Sequence, residues 1–121
     1  QQVKLNGAII VSTPQDIALI DARRGLNMFR RVEVPVLGII ENMSQFSCPN
    51  CGHISEIFSH GGAQKEAEKL EIPFLGELPL DLSIRLHSDQ GIPVTAAEPT
   101  SPISGIYRDI GQKIINYLKV I

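Results

Sequence analysis

Residues 7–16 read GAIIVSTPQD, an apolar run followed at once by residues that begin a helix. The run at 7–12 lacks polar alternation, which predicts a strand buried on both faces of a parallel sheet. After it, Thr13 suits the N-cap, Pro14 suits the first helical position, and Asp16 lies near the positive end of the helix dipole. The imperfect apolar stripe that follows predicts a helix of about 16 residues. This stretch therefore indicates the strand–helix unit of an α/β fold.

The rest of the chain repeats the alternation of strands and helices. Further strands are predicted at 34–40 and 73–78, helices at 63–70 and 82–87, an extended connection at 88–102, and a last helix where apolar residues recur between Ile103 and Leu118. Strands that alternate with helices predict an α/β domain with a parallel sheet. We expect the last helix to pack on that sheet.

Charged residues mark the helix faces that we expect to be solvated. The polar face of the helix at 63–70 is predicted to consist of Lys65, Glu66, Glu68 and Lys69. The arginine pairs at 23–24 and 30–31 are also expected on a solvated face, with a docking patch for a partner as the alternative.

Three predicted loops follow the three strands, at 12–15, 41–44 and 79–81. Ligands of open α/β sheets bind outside the carboxyl ends of the strands, where these loops meet. The only two cysteines of the chain come just after the second loop. The sequence therefore places its most reactive side chains near the predicted ligand-binding edge.

These cysteines lie in CPNCG, residues 48–52. Two thiols three positions apart in a turn with Pro49 and Gly52 can bind one metal or cluster from the same side, but they supply half of a four-thiolate shell. A second copy across a two-fold axis can supply the other half. This pattern points to a metal or an iron–sulfur cluster shared by a homodimer.

Three other interpretations of CPNCG stay open at this stage. A thiol–disulfide redox motif would begin a helix, whereas Pro49, Asn50 and Gly52 favour a turn that does not run into one. Zinc with His53 and His60 as further ligands would need a spacing unlike that of standard fingers. The pair could also have no function. A catalytic role for His53, His60 or His87 is not supported, because no nucleophile motif accompanies them.

Composition restricts the class of protein. The 121 residues suit one globular domain, 43% of them are hydrophobic, and the net charge of −2 offers no basic field for nucleic acid. No apolar run approaches the roughly 20 residues of a membrane span, and the first residues do not have the pattern expected of a signal peptide. Two isolated cysteines fit a reducing compartment, so we expect a cytoplasmic protein, or alternatively one of the mitochondrial matrix. The missing initiator Met suggests the middle of a longer chain.

Five segments in order resemble the Mrp family: STPQDIALIDARRG (12–25), GIIENMS (38–44), CPNCG (48–52), IFSHGGA (57–63) and LGELPLD (75–81). Members of this family are P-loop ATPases of the MinD-like group that carry or assemble iron–sulfur clusters. The resemblance extends to about Val94. It implies a parallel-sheet P-loop NTPase-like domain that passes clusters to apo iron–sulfur proteins.

The resemblance also implies roles for particular residues. Cys48 and Cys51 match the family's CxxC, in which four thiolates from two protomers hold a bridging [4Fe–4S] cluster. Asn42 matches an asparagine that reads adenine, since an amide can both donate to and accept from a base edge. Pro79, with Leu80 and Asp81, matches the loop that walls the base. Without the resemblance, Asn42 and Pro79 could be ordinary residues after a strand.

The chain departs from the family in one respect. It contains no G-x-x-x-x-G-K-[ST] motif and no Walker-B-type Asp to hold Mg²⁺. We therefore expect residues 1–121 to be the C-terminal part of a single P-loop ATPase domain, with the Walker A half absent. Such a part has no catalytic residue of its own and would bind ATP and Mg²⁺ mostly through the missing half.

Two other functions compete with that of a cluster carrier. The chain could be a zinc-stapled interaction module, or part of a MinD-like ATPase without cluster chemistry. The metal content after purification distinguishes the zinc-stapled module from a cluster carrier. The effect of cysteine replacement on nucleotide binding distinguishes the MinD-like ATPase from a cluster carrier.

Overall fold

A computed structural model describes residues 4–56 and 61–120. The elements in chain order are β1 (Ala8–Ser12), α1 (Asp16–Arg31), β2 (Val36–Glu41), β3 (Phe46–Ser47), β4 (Ile54–Ser55), α2 (Gly62–Leu70), β5 (Phe74–Glu77), α3 (Leu82–Asp89), α4 (Val94–Ala97) and α5 (Pro102–Val120). Strands β1, β2 and β5 form a parallel sheet in the order β1-β2-β5. The predicted α/β fold with a parallel sheet is confirmed.

Helices cover both faces of this sheet. On one face, Leu26 of α1 and Ala67 of α2 belong to a buried cluster with Ile10 and Ile39 of the strands. On the other face, Ile110 of α5 packs with Ile40, Leu75 and Leu78. The last helix therefore packs on the sheet, as predicted. The central strand β2 is buried along its length from Leu37 to Glu41.

The prediction that β1 is buried on both faces is wrong. Ile9 is 36% exposed and Val11 is 58% exposed, while Ile10 and Ser12 are buried. The cause is that β1 lies at the edge of the described sheet and only one of its faces is covered by α1. An apolar run alone does not reveal whether both faces have a partner.

Helix α1 has the predicted 16 residues, but its start differs from the prediction. Gln15 is the N-cap and makes no side-chain capping bond. The Thr13 hydroxyl donates to Gln15 Oε1 at 3.2 Å, so it does not cap the helix. Thr13 precedes Pro14, which favours extended backbone at that position and delays the first helical turn. Asp16 lies in the first turn, as predicted.

The prediction that Glu66 lies on a solvated face is wrong, whereas the arginines of both pairs are exposed, as predicted. Glu66 is 4% exposed, and its two carboxylate oxygens accept from Arg23 Nε and Nη2 at 2.7 Å each. The interaction joins α1 to α2, with the Glu66 side chain buried and the Arg23 side chain 48% exposed. Arg23 lowers the pKa of the Glu66 carboxyl, mainly through the hydrogen bonds between them. Arg30 Nη2 donates to the carbonyl oxygen of Leu70 at 3.2 Å.

The predicted extended connection at 88–102 contains the short helix α4. Val94 begins this helix and is buried, since the apolar side chain can reach the space between α3 and α5. His87 Nε2 lies 2.9 Å from Glu98 Oε2, which joins α3 to the residue after α4. His53 is exposed, and His60, together with the rest of residues 57–60, lies outside the described residues. Among the described helices, none has the length and apolar character needed to cross a membrane.

Candidate functional site

The three loops at the carboxyl ends of the parallel strands meet at one edge of the sheet. Asn42 N donates to the carbonyl oxygen of Ser12 at 2.8 Å, which joins the first loop to the second. Leu78 N donates to the carbonyl oxygen of Glu41 at 2.8 Å, and Ser44 N donates to that of Leu78 at 3.0 Å. The predicted juxtaposition of the three loops is confirmed.

A cavity of about 280 Å³ opens at this edge. Its lining includes the four sequence-predicted residues Asn42, Pro79, Leu80 and Asp81, together with Met43, Ile84, Arg85 and Tyr107. Sites that enclose a whole drug-sized ligand span roughly 300–1,000 Å³. The cavity therefore suits one ring system of a larger ligand, such as a base, with the remainder of the ligand outside it.

The amide of Asn42 is oriented by its own backbone. Its Oδ1 accepts from the Met43 N–H at 3.0 Å, and Met43 has the positive φ of 55°. Positive φ is uncommon for residues other than glycine. With Oδ1 held in this way, Nδ2 has two hydrogens to offer, and Oδ1 keeps a second lone pair. Asn42 can therefore present both a donor and an acceptor to a ligand in the cavity.

Asp81 has a structural role in addition to lining the cavity. It is the N-cap of α3, and its Oδ1 accepts from Ser83 N at 2.8 Å and from Ser83 Oγ at 2.5 Å. An N-cap carboxylate satisfies an N–H that has no partner within the helix. Asp81 therefore fixes where α3 begins, and α3 in turn carries the lining residues Ile84 and Arg85.

Four lining residues were not predicted from the sequence. Met43 adjoins the predicted residue Asn42, and Ile84 and Arg85 follow the predicted loop by one helical turn. Their closeness in sequence to predicted residues is the one feature that could have placed them at the site. Tyr107 comes from α5, where it fits the apolar recurrence of a packing residue. Burial raises the pKa of its phenol. Nothing in the sequence connects Tyr107 with Asn42.

The cysteines lie at the tip of a short antiparallel hairpin formed by β3 and β4. Cys48 N donates to the carbonyl oxygen of His53 at 2.9 Å, and Gly52 N donates to that of Cys48 at 2.8 Å. Gly52 has φ of 74°, which glycine adopts without steric cost. Because β4 follows the turn, the motif does not begin a helix. The predicted turn is confirmed, and the helical setting of a redox motif is not found here.

Both thiols are free, Cys48 half-buried and Cys51 exposed. The pKa of the Cys48 thiol is lowered by the backbone N–H of Cys51, then by that of Asn50, and further by the Cys51 thiol. A lower pKa favours the thiolate, which is the form that binds metals. The hairpin thus holds a thiolate-forming pair at an accessible tip.

A complete metal site is not found among the described residues, which contain no group of three or more His, Cys, Asp or Glu side chains able to hold an ion. His53 takes part in the turn through its carbonyl oxygen. His60 lies outside the described residues. The two thiols fit an iron–sulfur cluster as half of a ligand set, which is how the sequence led us to expect them to act.

The hairpin and the cavity are directly joined. Leu80 N donates to the carbonyl oxygen of Gln45 at 2.8 Å, and Leu80 and Phe46 form a parallel bridge. The cavity wall at 79–81 is therefore hydrogen-bonded to the first strand of the cysteine hairpin.

Comparison with known proteins gives a family match over residues 1–115, to a ParA model described as NUBPL iron-transfer P-loop NTPase. The chain is 52% identical over 121 residues to the iron–sulfur cluster transfer protein NUBPL of Dictyostelium discoideum. It is 50% identical over 114 residues to the iron–sulfur cluster carrier protein of Escherichia coli. The match with the Dictyostelium discoideum protein covers 100% of this chain and 38% of that relative. The match with the Escherichia coli protein covers 94% of this chain and 31% of that relative.

Two solved structures are similar to the chain. A nucleotide-binding protein from Archaeoglobus fulgidus in complex with ADP is 41% identical, with a TM-score of 0.62 over 71% of this chain and 35% of its own. The cell division ATPase MinD of Pyrococcus furiosus is 20% identical, with a TM-score of 0.73 over 93% of this chain and 43% of its own. The MinD likeness concerns the fold, which is that of a P-loop NTPase.

Proposed function

The chain belongs to the ParA family described as NUBPL iron-transfer P-loop NTPases, and on that premise we propose that it holds the cargo of an iron–sulfur cluster carrier. In this proposal Cys48 and Cys51 supply two of four thiolates, and a second copy of the protein supplies the other two. The cargo is a [4Fe–4S] cluster that bridges the homodimer. Apo iron–sulfur proteins are its recipients.

One observation carries the proposal: two free thiols lie at the tip of a hairpin, and the described residues around them provide no further metal ligand. A site of two thiolates per chain is complete only while two chains meet. Such a cluster is accessible and is released when the dimer separates. Those properties suit a carrier better than an enzyme with a permanent cluster.

The cavity beside the hairpin is proposed to take the adenine base of ATP. Support comes from its size, from the donor and acceptor offered by Asn42, and from the ADP-bound structure of the Archaeoglobus fulgidus relative. In the proposal, Pro79, Leu80 and Asp81 wall the base. The triphosphate and Mg²⁺ are held by residues outside 1–121, because these residues contain no phosphate-binding loop motif.

We further propose that residues 1–121 form the C-terminal part of a single P-loop ATPase domain. The chain spans 38% of the Dictyostelium discoideum relative, and the uncovered face of β1 carries the apolar side chains of Ile9 and Val11, as a face does when another element packs on it. A reducing compartment suits free thiols, so we propose the cytoplasm, or the mitochondrial matrix as the alternative. The name of the Arabidopsis thaliana relative includes the word mitochondrial.

The test is anaerobic reconstitution of the full-length protein with iron and sulfide, followed by measurement of iron, sulfide, zinc and mass in solution. We expect about two irons per chain in a dimer. Cys48→Ser and Cys51→Ser should each abolish iron binding. The matched control is Ser47→Ala, because Ser47 is an exposed residue of the same hairpin. It should leave the iron content unchanged.

Other outcomes would favour the rival functions. Colourless protein that keeps zinc in air would indicate a zinc-stapled interaction module. Absence of metal in every preparation, with nucleotide binding indifferent to both cysteine replacements, would indicate a MinD-like ATPase without cluster chemistry. Either result would reject the proposed function.

A further inference from the structure

Glu41, the last residue of the central strand, is fully buried at 0% exposure. Its Oε1 accepts from Ala63 N at 3.0 Å, and its Oε2 accepts from Gly61 N at 3.3 Å. The Ser44 hydroxyl also donates to Oε2. The sequence indicated only that polar residues begin here, and it gave no reason to place a carboxylate in the interior.

The partners of Glu41 explain how a carboxylate is tolerated there. Gly61 and Ala63 belong to the N-terminus of α2, where backbone N–H groups have no partner within the helix and the helix dipole is positive. Hydrogen bonds to an ionised acceptor are shorter and stronger than those between neutral groups. Glu41 and the start of α2 therefore stabilise each other.

The position of Glu41 in the chain gives this contact a second consequence. The residues between Glu41 and Gly61, which we name the cysteine loop (residues 42–60), include the hairpin with both cysteines. The loop leaves the sheet directly after Glu41, and the chain returns to the carboxylate of the same residue through Gly61 and Ala63. The Glu41 side chain thus contacts Ser44 near the start of the loop and Gly61 directly after it.

The beginning of the loop has further anchors. Ser44 N donates to the carbonyl oxygen of Leu78, and the carbonyl oxygen of Gln45 accepts from Leu80 N. Ser44 Oγ also lies 3.2 Å from Glu77 Oε2. On the returning side, the contacts of Glu41 with Gly61 and Ala63 hold the loop to the central strand. Loss of the carboxylate would therefore remove the contacts with Gly61 and Ala63, while the backbone anchors at Ser44 and Gln45 remain.

We infer that Glu41 is a positioning residue for the cysteine loop: its carboxylate holds Gly61 and the start of α2, which follow the loop, to the strand from which the loop leaves, and so limits how far Cys48 and Cys51 can move. The role in cluster retention rests on the proposed function. The role in holding the loop does not, because it follows from the contacts of Glu41 alone.

Hydrogen–deuterium exchange of the metal-free, full-length protein tests the inference, with Glu41→Gln as the main variant. Glutamine keeps the shape but offers one acceptor oxygen in place of two. We expect amide exchange in peptides covering 42–61 to become about tenfold faster, as for the loss of one charge-assisted hydrogen bond. After anaerobic reconstitution, the same variant should release iron to a chelator faster by a similar factor.

Glu66→Gln is the matched control. Glu66 is also a buried glutamate of this sheet face and lies on α2, but its partner is Arg23 and not the ends of the cysteine loop. It should lower overall stability without faster exchange at 42–61. Equal acceleration in both variants would show that any damage to α2 loosens the loop, and would overturn the inference. Unchanged exchange in Glu41→Gln would overturn it as well.

Ser44→Ala provides a second, milder variant for the case that Glu41→Gln does not fold. It removes the hydroxyl contact to Glu41 and keeps the backbone contacts, so a smaller acceleration in the same peptides is expected, and none would refute the inference. Failure of the proposed function has a different signature. The wild-type protein would then bind no iron, while the exchange contrast between the glutamate variants would still decide whether Glu41 positions the loop.

Discussion

Replacement of Gly62 by alanine should show how tightly the start of α2 is seated on the loop after β1. A Cβ at Gly62 would lie 2.6 Å from the carbonyl oxygen of Pro14 and 3.2 Å from Leu19 Cδ1. The first contact involves backbone, which cannot rotate away as a side chain does. Forcing an extra methyl group into a packed region costs about 1–3 kcal/mol.

A gain in helix propensity opposes this cost. Alanine is favoured over glycine in a helix interior by at most about 1 kcal/mol, and by less at the first helical position. The clash should therefore win, with a net loss of about 1–2 kcal/mol in the free energy of unfolding. Urea titration of the full-length protein measures this loss as a lower midpoint with an unchanged slope.

Gly25→Ala is the control, because Gly25 lies within α1 and a Cβ there would meet nothing within 4 Å. The same chemical change should stabilise the protein at this site by about 0.5–1 kcal/mol. Opposite signs for the two variants are the expected result. If Gly62→Ala were as stable as the wild type or more so, the close contact between α2 and the Pro14 carbonyl would not exist in solution, and the reasoning would fail.

Three further predictions concern single side chains. Arg23 lowers the pKa of Glu66 in the folded protein, so the ionised carboxylate stabilises the fold. The wild type should therefore exceed Glu66→Gln in stability by the full amount above the ordinary glutamate pKa of about 4.3, and this difference should disappear as the pH falls through the lowered pKa of the folded state. Urea midpoints of both proteins from pH 7 to pH 3 measure the difference. In metal-free protein, alkylation of Cys48 should reach half its maximal rate below the ordinary thiol pKa of about 8.5. Cys51→Ala, which removes the side-chain hydrogen bond to Cys48 but keeps the backbone N–H, should move that point slightly upward; mass spectrometry of the alkylated protein against pH measures both. Asn42→Asp should weaken binding of ADP about tenfold or more, since a carboxylate cannot donate a hydrogen bond to the base. Asn50→Asp, at the hairpin tip, is the control and should leave the affinity unchanged. Equal affinities of the wild type and Asn42→Asp for ADP in a fluorescence titration would argue against the base site.

The strands and long helices were predictable because their signals are local. Apolar runs marked β1 and β2, and the recurrence of apolar residues marked α5. The N-cap of α1 was not predictable, because the Thr13 hydroxyl has a competing partner in Gln15. Periodicity assigns a residue to a face but does not say what that face meets. For that reason neither the exposure of Val11 nor its cause could be read from the sequence.

The residues of the candidate site also differ in whether local sequence signals could place them. Asn42, Pro79 and the residues after it could be placed at one edge because they directly follow strands that had been predicted as parallel. Tyr107 could not, because the packing of α5 brings it to the cavity from a distant part of the chain. Glu41 and Glu66 look like surface residues in sequence, and only their partners, the α2 N-terminus and Arg23, account for their burial.

The hydrogen bond from Leu80 to Gln45 has a consequence for how the protein would be loaded. It makes the wall of the cavity and the base of the cysteine hairpin parts of one connected body. If a bound base changes the affinity of the hairpin for its cluster by some factor, then the cluster must change the affinity for the base by the same factor. Comparison of the nucleotide affinity of the protein with and without its cluster would thus measure the coupling between the two sites, with no measurement on iron.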